Sequence, residues 1–450
     1  MTSYLPDYAD AAVPRYTSYP TALSFTDIDP ATYARWLRGI DGTEAMSVYL
    51  HVPFCRELCW YCGCATEVNR RPERVRAYAR ALEREIDLVA RTADGAPEIG
   101  HLHFGGGTPT QLAPGDFVRL VRLLDRTFRL TPGAEIAVEV DPRTLDAGMV
   151  EAFAECGVNR VSLGVQDIDP VIQQAIHRIQ PLETVLAAVE MLRGAGITRI
   201  SMDMIYGLPG QTERHVRATA RAIAEAGARR VAVFGYAHVP WFRKHQKAID
   251  EAALPDGPAR FGQMLAAADE LQRAGFLNIG FDHFASPGDG LAEAAAAGRL
   301  RRNFQGYTDD QSSVLLGFGA SAIGNLPGGY AQNAPATNDW MKRVEEGALP
   351  VARGCAIEAG DRLRRALIEE IMCTGAVDAA AICRDHGADG EDVADAFWKL
   401  ERLRLDGLVM LDRERLRVRA TPLGRLYLRN VAACFDPACK AAAGRHSRSI

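Results

Sequence analysis

Four of the chain's ten cysteines, Cys55, Cys59, Cys62 and Cys64, fall within ten consecutive residues. They end the run Tyr49 to Cys64, YLHVPFCRELCWYCGC, with the spacing C-x3-C-x2-C-x-C. A short loop with this spacing can wrap three thiolates around one compact inorganic centre, and iron–sulfur clusters are held by cysteines so closely spaced. Three ligands instead of four would leave one metal position open, as catalytic metal sites do. Two other readings stand beside this one. All four cysteines can form a structural zinc site, although such sites usually come as two separated C-x2-4-C pairs. A disulfide pair needs an oxidising compartment, and the start MTSYLPDYAD has no basic stretch followed by an apolar core, so reduced thiols and a cytoplasmic location are expected.

Other residues able to do chemistry recur along the chain. The triplet Gly105-Gly106-Gly107, followed by Thr108 and Pro109, lets backbone approach a ligand closely. Glu139, Gln166, Arg178 and Asp203 can bind hydroxyl, ammonium and carboxylate groups. Each taken alone reads as well as a satisfied structural polar residue. As a set they suggest more small-molecule contacts than one cofactor requires. Arg15, Arg302 and Lys244 are candidate partners for substrate carboxylates, with Arg the better geometric match.

These residues need elements to hold them. Apolar or β-branched runs at 47–51, 101–104, 135–140, 160–165, 199–205 and 230–236 read as strands. Between them 75–92, 117–127, 147–156, 182–195 and 213–226 carry helical periodicity; 259–274 and a strand-like run, 277–281, follow. Alternating strands and helices predict an α/β fold, a parallel sheet built as a partial, six-unit (β/α)6 barrel. Ligands of such folds sit at the C-terminal ends of the strands. The cysteine loop follows the first strand and the glycine triplet the second. Glu139 ends the third, Gln166 the fourth and Asp203 the fifth, with Ala237 just past the sixth.

The expected organisation is an N-terminal arm (1–40), a core (41–286), an extension and linker (287–358) and a mostly helical, winged-helix-like unit (359–450). The arm, containing PRYTSYPT (14–21), reads as a surface extension or as a flap over an anionic ligand. Residues 301–308 read as a polar loop, and 315–324, LLGFGASAIG, as a segment for close approach to a ligand. Hydrophobic residues make up 48% and charged residues 24%, with a net charge of −5, which is ordinary for a globular protein and gives no global argument for nucleic acid. Residues 401–450 carry 11 Lys+Arg against 5 Asp+Glu, which reads as a solvated basic face. No apolar run approaches the ~20 residues of a membrane helix.

The C-x3-C-x2-C loop resembles the signature of the radical S-adenosylmethionine (SAM) superfamily. Taken with PRYTSYPT (14–21), HFGGGTPT (103–110), NRVSLGVQD (159–167), DMIYGLPGQT (203–212), GFDHFA (280–285) and RNFQGYT (302–308), the chain resembles the oxygen-independent coproporphyrinogen III oxidases. That resemblance implies a radical SAM enzyme of haem biosynthesis that converts coproporphyrinogen III to protoporphyrinogen IX. It implies a [4Fe–4S] cluster on Cys55, Cys59 and Cys62, with Cys64 essential but not a ligand. It also implies two SAM molecules: Tyr49, Gly106, Glu139 and Ile323 match positions for one, and Tyr61, Gly107, Thr108, Gln166, Arg178, Asp203 and Ala237 for the other. Tyr61 stands where Phe is common. The implied partner is a low-potential electron donor such as flavodoxin or ferredoxin, and the implied state is a monomer without nucleic acid. A related haem-delivering chaperone without decarboxylase activity is the alternative.

Overall fold

The computed structural model describes residues 4–93, 95–439 and 449–450. Six parallel strands form its centre: β1 (Met46–Val52), β2 (Ile99–Gly106), β3 (Leu130–Val140), β4 (Arg160–Gln166), β5 (Arg199–Tyr206) and β6 (Arg230–Gly235). Helices α1 (Pro72–Thr92), α2 (Pro114–Phe128), α3 (Ala147–Glu155), α4 (Leu182–Gly194) and α5 (Glu213–Glu225) connect them, and α6 (Gly257–Arg273) follows β6. These are the six βα units expected from the sequence.

The two faces of β1 show why the strands form. Met46, Val48, Leu50 and Val52 are at most 1% exposed and alternate with Ser47, Tyr49 and His51. Successive side chains of a strand point to opposite faces, so the apolar set meets the helices and the polar set turns to the barrel interior. Pro72 starts α1, where its missing N–H costs nothing, and Val75, Tyr78, Leu82, Ile86 and Val89 bury one stripe against the sheet. Each such apolar side chain contributes about 1.5–3 kcal/mol.

The sheet is larger than the sequence pattern suggested. It has thirteen strands. A seventh parallel strand, β7 (Leu315–Phe318), pairs with β1, and antiparallel strands extend both edges. Thus 315–324 is a strand and a turn leading into the strand Ile323–Leu326. The turn is tied to α1: Glu85, 1% exposed, accepts from Gly319 N (2.7 Å), Asn333 Nδ2 (2.6 Å) and Trp340 Nε1 (3.2 Å). A Cβ on Gly319 (φ +96°) would lie 2.5 Å from the His51 carbonyl oxygen, so the turn requires glycine. The expected loop at 301–308 is a hairpin, Arg301–Asn303 with Gly306–Thr308. The run at 277–281 contributes only Leu277–Ile279, antiparallel to His283–Ala285 at the sheet's edge.

The C-terminal unit has helices Ala359–Thr374, Ala379–Asp385 and Ala394–Leu405 and a three-stranded antiparallel sheet. Its final expected helix is two short ones, Pro422–Arg425 and Leu428–Ala433. The arm is not a surface extension. Tyr16 and Tyr19 are buried. Arg429 donates to the carbonyls of Val13 (2.5 Å) and Pro14 (3.0 Å), Tyr16 Oη donates to Asp436 (3.1 Å), and Arg302 donates to the carbonyls of Arg15 and Tyr16 (both 3.2 Å). The arm therefore fills the seam between sheet and C-terminal helices. Among the described residues no helix is long and apolar enough to cross a membrane.

Candidate active site

The cysteine loop leaves β1 after Val52 and is clamped by backbone hydrogen bonds at both ends. Gly107 N donates to Val52 O (2.8 Å), Thr108 N to Phe54 O (2.9 Å), and Asn69 N to Cys55 O (2.9 Å). Trp60 N reaches Ile176 O (3.0 Å), and the Trp60 ring stacks on His177 with centroids 5.2 Å apart. The glycine triplet is needed for this approach. Gly106 has φ +116°, and a Cβ on Gly107 would lie 2.8 Å from Phe54 O. Backbone atoms at that distance have no side chain to swing away, so a larger residue must displace the loop.

One open cavity gathers what the sequence had scattered. Cys55, Cys59, Cys62, Cys64, Tyr61, Gly106, Gly107, Thr108, Glu139, Gln166, Arg178 and Asp203 all line it. Three candidates lie elsewhere. The Tyr49 ring packs on His103 (5.8 Å) and its hydroxyl meets His51 Nδ1 (3.0 Å). The Ala237 carbonyl accepts from Gln246 Nε2 (3.1 Å), which also donates to Tyr61 O (3.0 Å), so Ala237 is joined to the loop through Gln246. Ile323 packs in a separate apolar group with Phe304 and Tyr330. The proposed carboxylate partners Arg15, Arg302 and Lys244 do not line the cavity. Arg15 donates to Gly235 O (3.2 Å), and Lys244 is exposed.

Charge is arranged by position. Arg178, 6% exposed, touches both Asp141 oxygens (3.3 Å), Gly164 O (2.7 Å) and Cys59 Sγ (3.5 Å). Arg143 also binds Asp141 (2.7 Å) and reaches Cys59 Sγ (3.7 Å). Burial alone would raise Asp141, but these two guanidiniums hold it below the usual carboxylate range. Burial likewise opposes ionisation of Glu139, yet His103 Nε2 (3.1 Å) and Gly106 N (3.1 Å) keep it low. Asp203 differs: burial, then the Glu139 charge, push it up to about 7 against one Ser162 hydrogen bond (3.3 Å). A hydrogen bond from the Cys64 thiol brings Cys62 down to about 6 and raises Cys64 itself, whereas burial pushes Cys55 up to about 11.

The residues fit a multi-iron cluster: three cysteines of one short loop line one cavity. Soft thiols around a roomy cavity, a wall of glycines without Cβ atoms, and a buried Arg178 Nε with no hydrogen-bond partner leave room and donors for a cluster and an anionic ligand. Sequence reasoning missed Arg143, Ser162, His103 and Gln246. Ser162 and His103 stand two residues from glycines of the same strand face, so strand alternation carried a signal for them; Arg143 and Gln246 had none.

A cysteine loop of this spacing at the C-terminal rim of a parallel βα sheet defines a radical SAM protein. Residues 49–223 match the model of the Radical SAM superfamily, and 357–427 that of the HemN C-terminal domain. The chain is 50% identical over 444 residues to the oxygen-independent coproporphyrinogen III oxidase of Bradyrhizobium diazoefficiens, covering 98% of each chain, and 45% identical to that of Paracoccus denitrificans, covering 98% and 97%. The solved coproporphyrinogen III oxidase (HemN) of Escherichia coli, described as a radical SAM enzyme, is 36% identical, with a TM-score of 0.89 over 94% of this chain and 97% of that one. The chain belongs to the family of oxygen-independent coproporphyrinogen III oxidases.

Proposed function

We propose that this chain removes CO2 and hydrogen from the propionates of two pyrrole rings of coproporphyrinogen III, leaving vinyl groups and giving protoporphyrinogen IX. The observation that carries this reading is the single cavity shared by the four loop cysteines and the polar ends of β3, β4 and β5, in a chain half identical to a named oxidase over its whole length. Cys55, Cys59 and Cys62 would hold a [4Fe–4S] cluster, which would supply the electron that cleaves SAM to a carbon radical able to take a hydrogen atom from the propionate β-carbon; loss of CO2 would then release one electron to an external acceptor. The chain's own residues bind and orient. Arg178 and Arg143 offer fixed guanidiniums to a carboxylate, and Glu139, kept ionised by His103, accepts from ammonium or ribose hydroxyl groups. Asp203, holding a proton near neutrality, can donate as well as accept. Cys64 lines the same cavity beside the three ligand cysteines and is left for a role other than ligation.

The spread of donors over three strand ends supports two SAM molecules, one toward Glu139 and one toward Tyr61, Gln166, Arg178 and Asp203. A low-potential flavodoxin or ferredoxin completes the reading. The test is anaerobic reconstitution with SAM, reductant and coproporphyrinogen III, followed by product identification. Protoporphyrinogen IX is expected. Cys64→Ser is expected to keep the cluster's visible absorbance and lose decarboxylation. Stoichiometric haem binding without turnover would instead establish the chaperone.

A further inference from the structure

The segment after β6, which is hydrogen-bonded to the cysteine loop, presents large aromatic side chains to solvent. Trp241 is 65% and Phe242 69% exposed. The same segment is bound to the loop from below by three side chains. Arg243 Nε donates to Gly63 O (3.0 Å), His245 Nε2 meets Cys62 O (2.7 Å), and Gln246 Nε2 donates to Tyr61 O (3.0 Å). Near-neighbouring residues thus grip three consecutive carbonyls, which makes segment and cysteine loop one rigid piece. Gln246 is itself fully buried and accepts from Val239 N (2.6 Å), so the base of the segment is anchored.

The outward side is apolar and basic. Arg243 stacks its guanidinium over the Phe242 ring at 4.8 Å, and Lys244 and Lys247 are exposed beside it. No acidic residue occurs between Val239 and Ala248. Arg56 and Arg70 are also exposed on and just after the cysteine loop, where Glu57 lies 3.7 Å from Arg70. Exposed aromatics are enriched at protein interfaces, and a cationic rim around them steers and selects an anionic partner. Solvent alone gives no reason to hold two bare aromatic rings rigidly beside redox-active cysteines.

We propose that Trp241, Phe242, Lys244 and Lys247 form the docking surface for an acidic one-electron carrier protein. This inference rests on the cluster reading above. The step moves one electron and no atoms: the reduced carrier is oxidised by one electron, and the centre held by Cys55, Cys59 and Cys62 is reduced by one. The hydrogen-bonded segment keeps the docked carrier against the loop.

The test uses the cluster-loaded enzyme and a photoreduced flavodoxin, an acidic flavin protein, as the probe. Stopped-flow bleaching of the cluster gives the reduction rate; dithionite, too small to need a docking surface, is the second reductant. For the wild type the flavodoxin rate is expected to fall steeply with ionic strength. Trp241→Ser/Phe242→Ser and Lys247→Glu are each expected to lower it about tenfold, with the dithionite rate, the bleaching amplitude and the dithionite-driven KM for coproporphyrinogen III unchanged. These side chains are exposed, so folding is not at stake. Wild-type flavodoxin rates in both variants overturn the proposal. So does a raised KM with the flavodoxin rate kept, which would give the surface to the substrate. A wild-type protein in which dithionite bleaches nothing removes the cluster reading itself, and the docking proposal with it.

Discussion

Replacing Asp203 by Asn tests the electrostatics of the cavity through stability. Burial and the neighbouring Glu139 charge push Asp203 up to about 7, from an ordinary value of 3.8. Between those two values the folded protein holds a proton that the unfolded chain has released. The folded state binds more protons there, so stability falls as pH rises through the window, and the loss is complete above the folded value. About 3 units at about 1.4 kcal/mol each set a ceiling near 4 kcal/mol. Asp203 still lines an open cavity, so solvent screening reduces this to about 2 kcal/mol. For a chain of 450 residues that corresponds to about 2 °C in Tm. Asp203→Asn cannot titrate and keeps an oxygen for the Ser162 hydroxyl. The assay is intrinsic-fluorescence melting of the cluster-free protein from about pH 5 to about pH 8. That range covers about two thirds of the window, so the wild type is expected to lose about 1 °C more than the variant across it. Parallel curves, or a variant less stable than the wild type at about pH 8, would refute the reasoning.

Two further outcomes follow from packing. Gly107→Ala places a Cβ 2.8 Å from Phe54 O and is expected to displace the cysteine loop and reduce iron per chain after reconstitution; Gly63→Ala, with nothing within 4 Å, is the control expected to retain it. Arg429→Met strips the donors from the Val13 and Pro14 carbonyls, costing about 3 kcal/mol locally, so trypsin should cut after Arg15 faster than in the wild type while the core resists.

Much of the fold was legible because its signals are local. The six βα units follow from period 2 and period 3.6, which a chain displays whatever its neighbours. Their order then placed the cysteine loop, the glycine triplet, Glu139, Gln166 and Asp203 at one rim, since right-handed crossovers bring every strand's C-terminal end to the same side. Arg143 was not legible, because its role depends on Cys59, which meets it from the end of another strand. The arm misled for a similar reason. Prolines and aromatics without a period look like surface, yet Tyr16 and Tyr19 are buried once Arg429 and Arg302 satisfy the carbonyls of residues 13 to 16.

What the sequence by itself determined is therefore the chemistry and its order along the chain: four closely spaced thiols, glycines where no Cβ is tolerated, and polar residues at strand ends. Covalent spacing and side-chain alternation are enough for that. Tertiary structure alone decided which of those residues meet. It added β7 beside β1, a pairing between Leu315–Phe318 and Ser47–Leu50 that no local pattern encodes. It moved Tyr49, Ala237 and Ile323 outside the cavity that holds the other candidates. It also raised Asp203 to about 7 while holding Glu139, a carboxylate of similar intrinsic acidity, below its usual range, because burial and hydrogen-bond donors are properties of the folded neighbourhood.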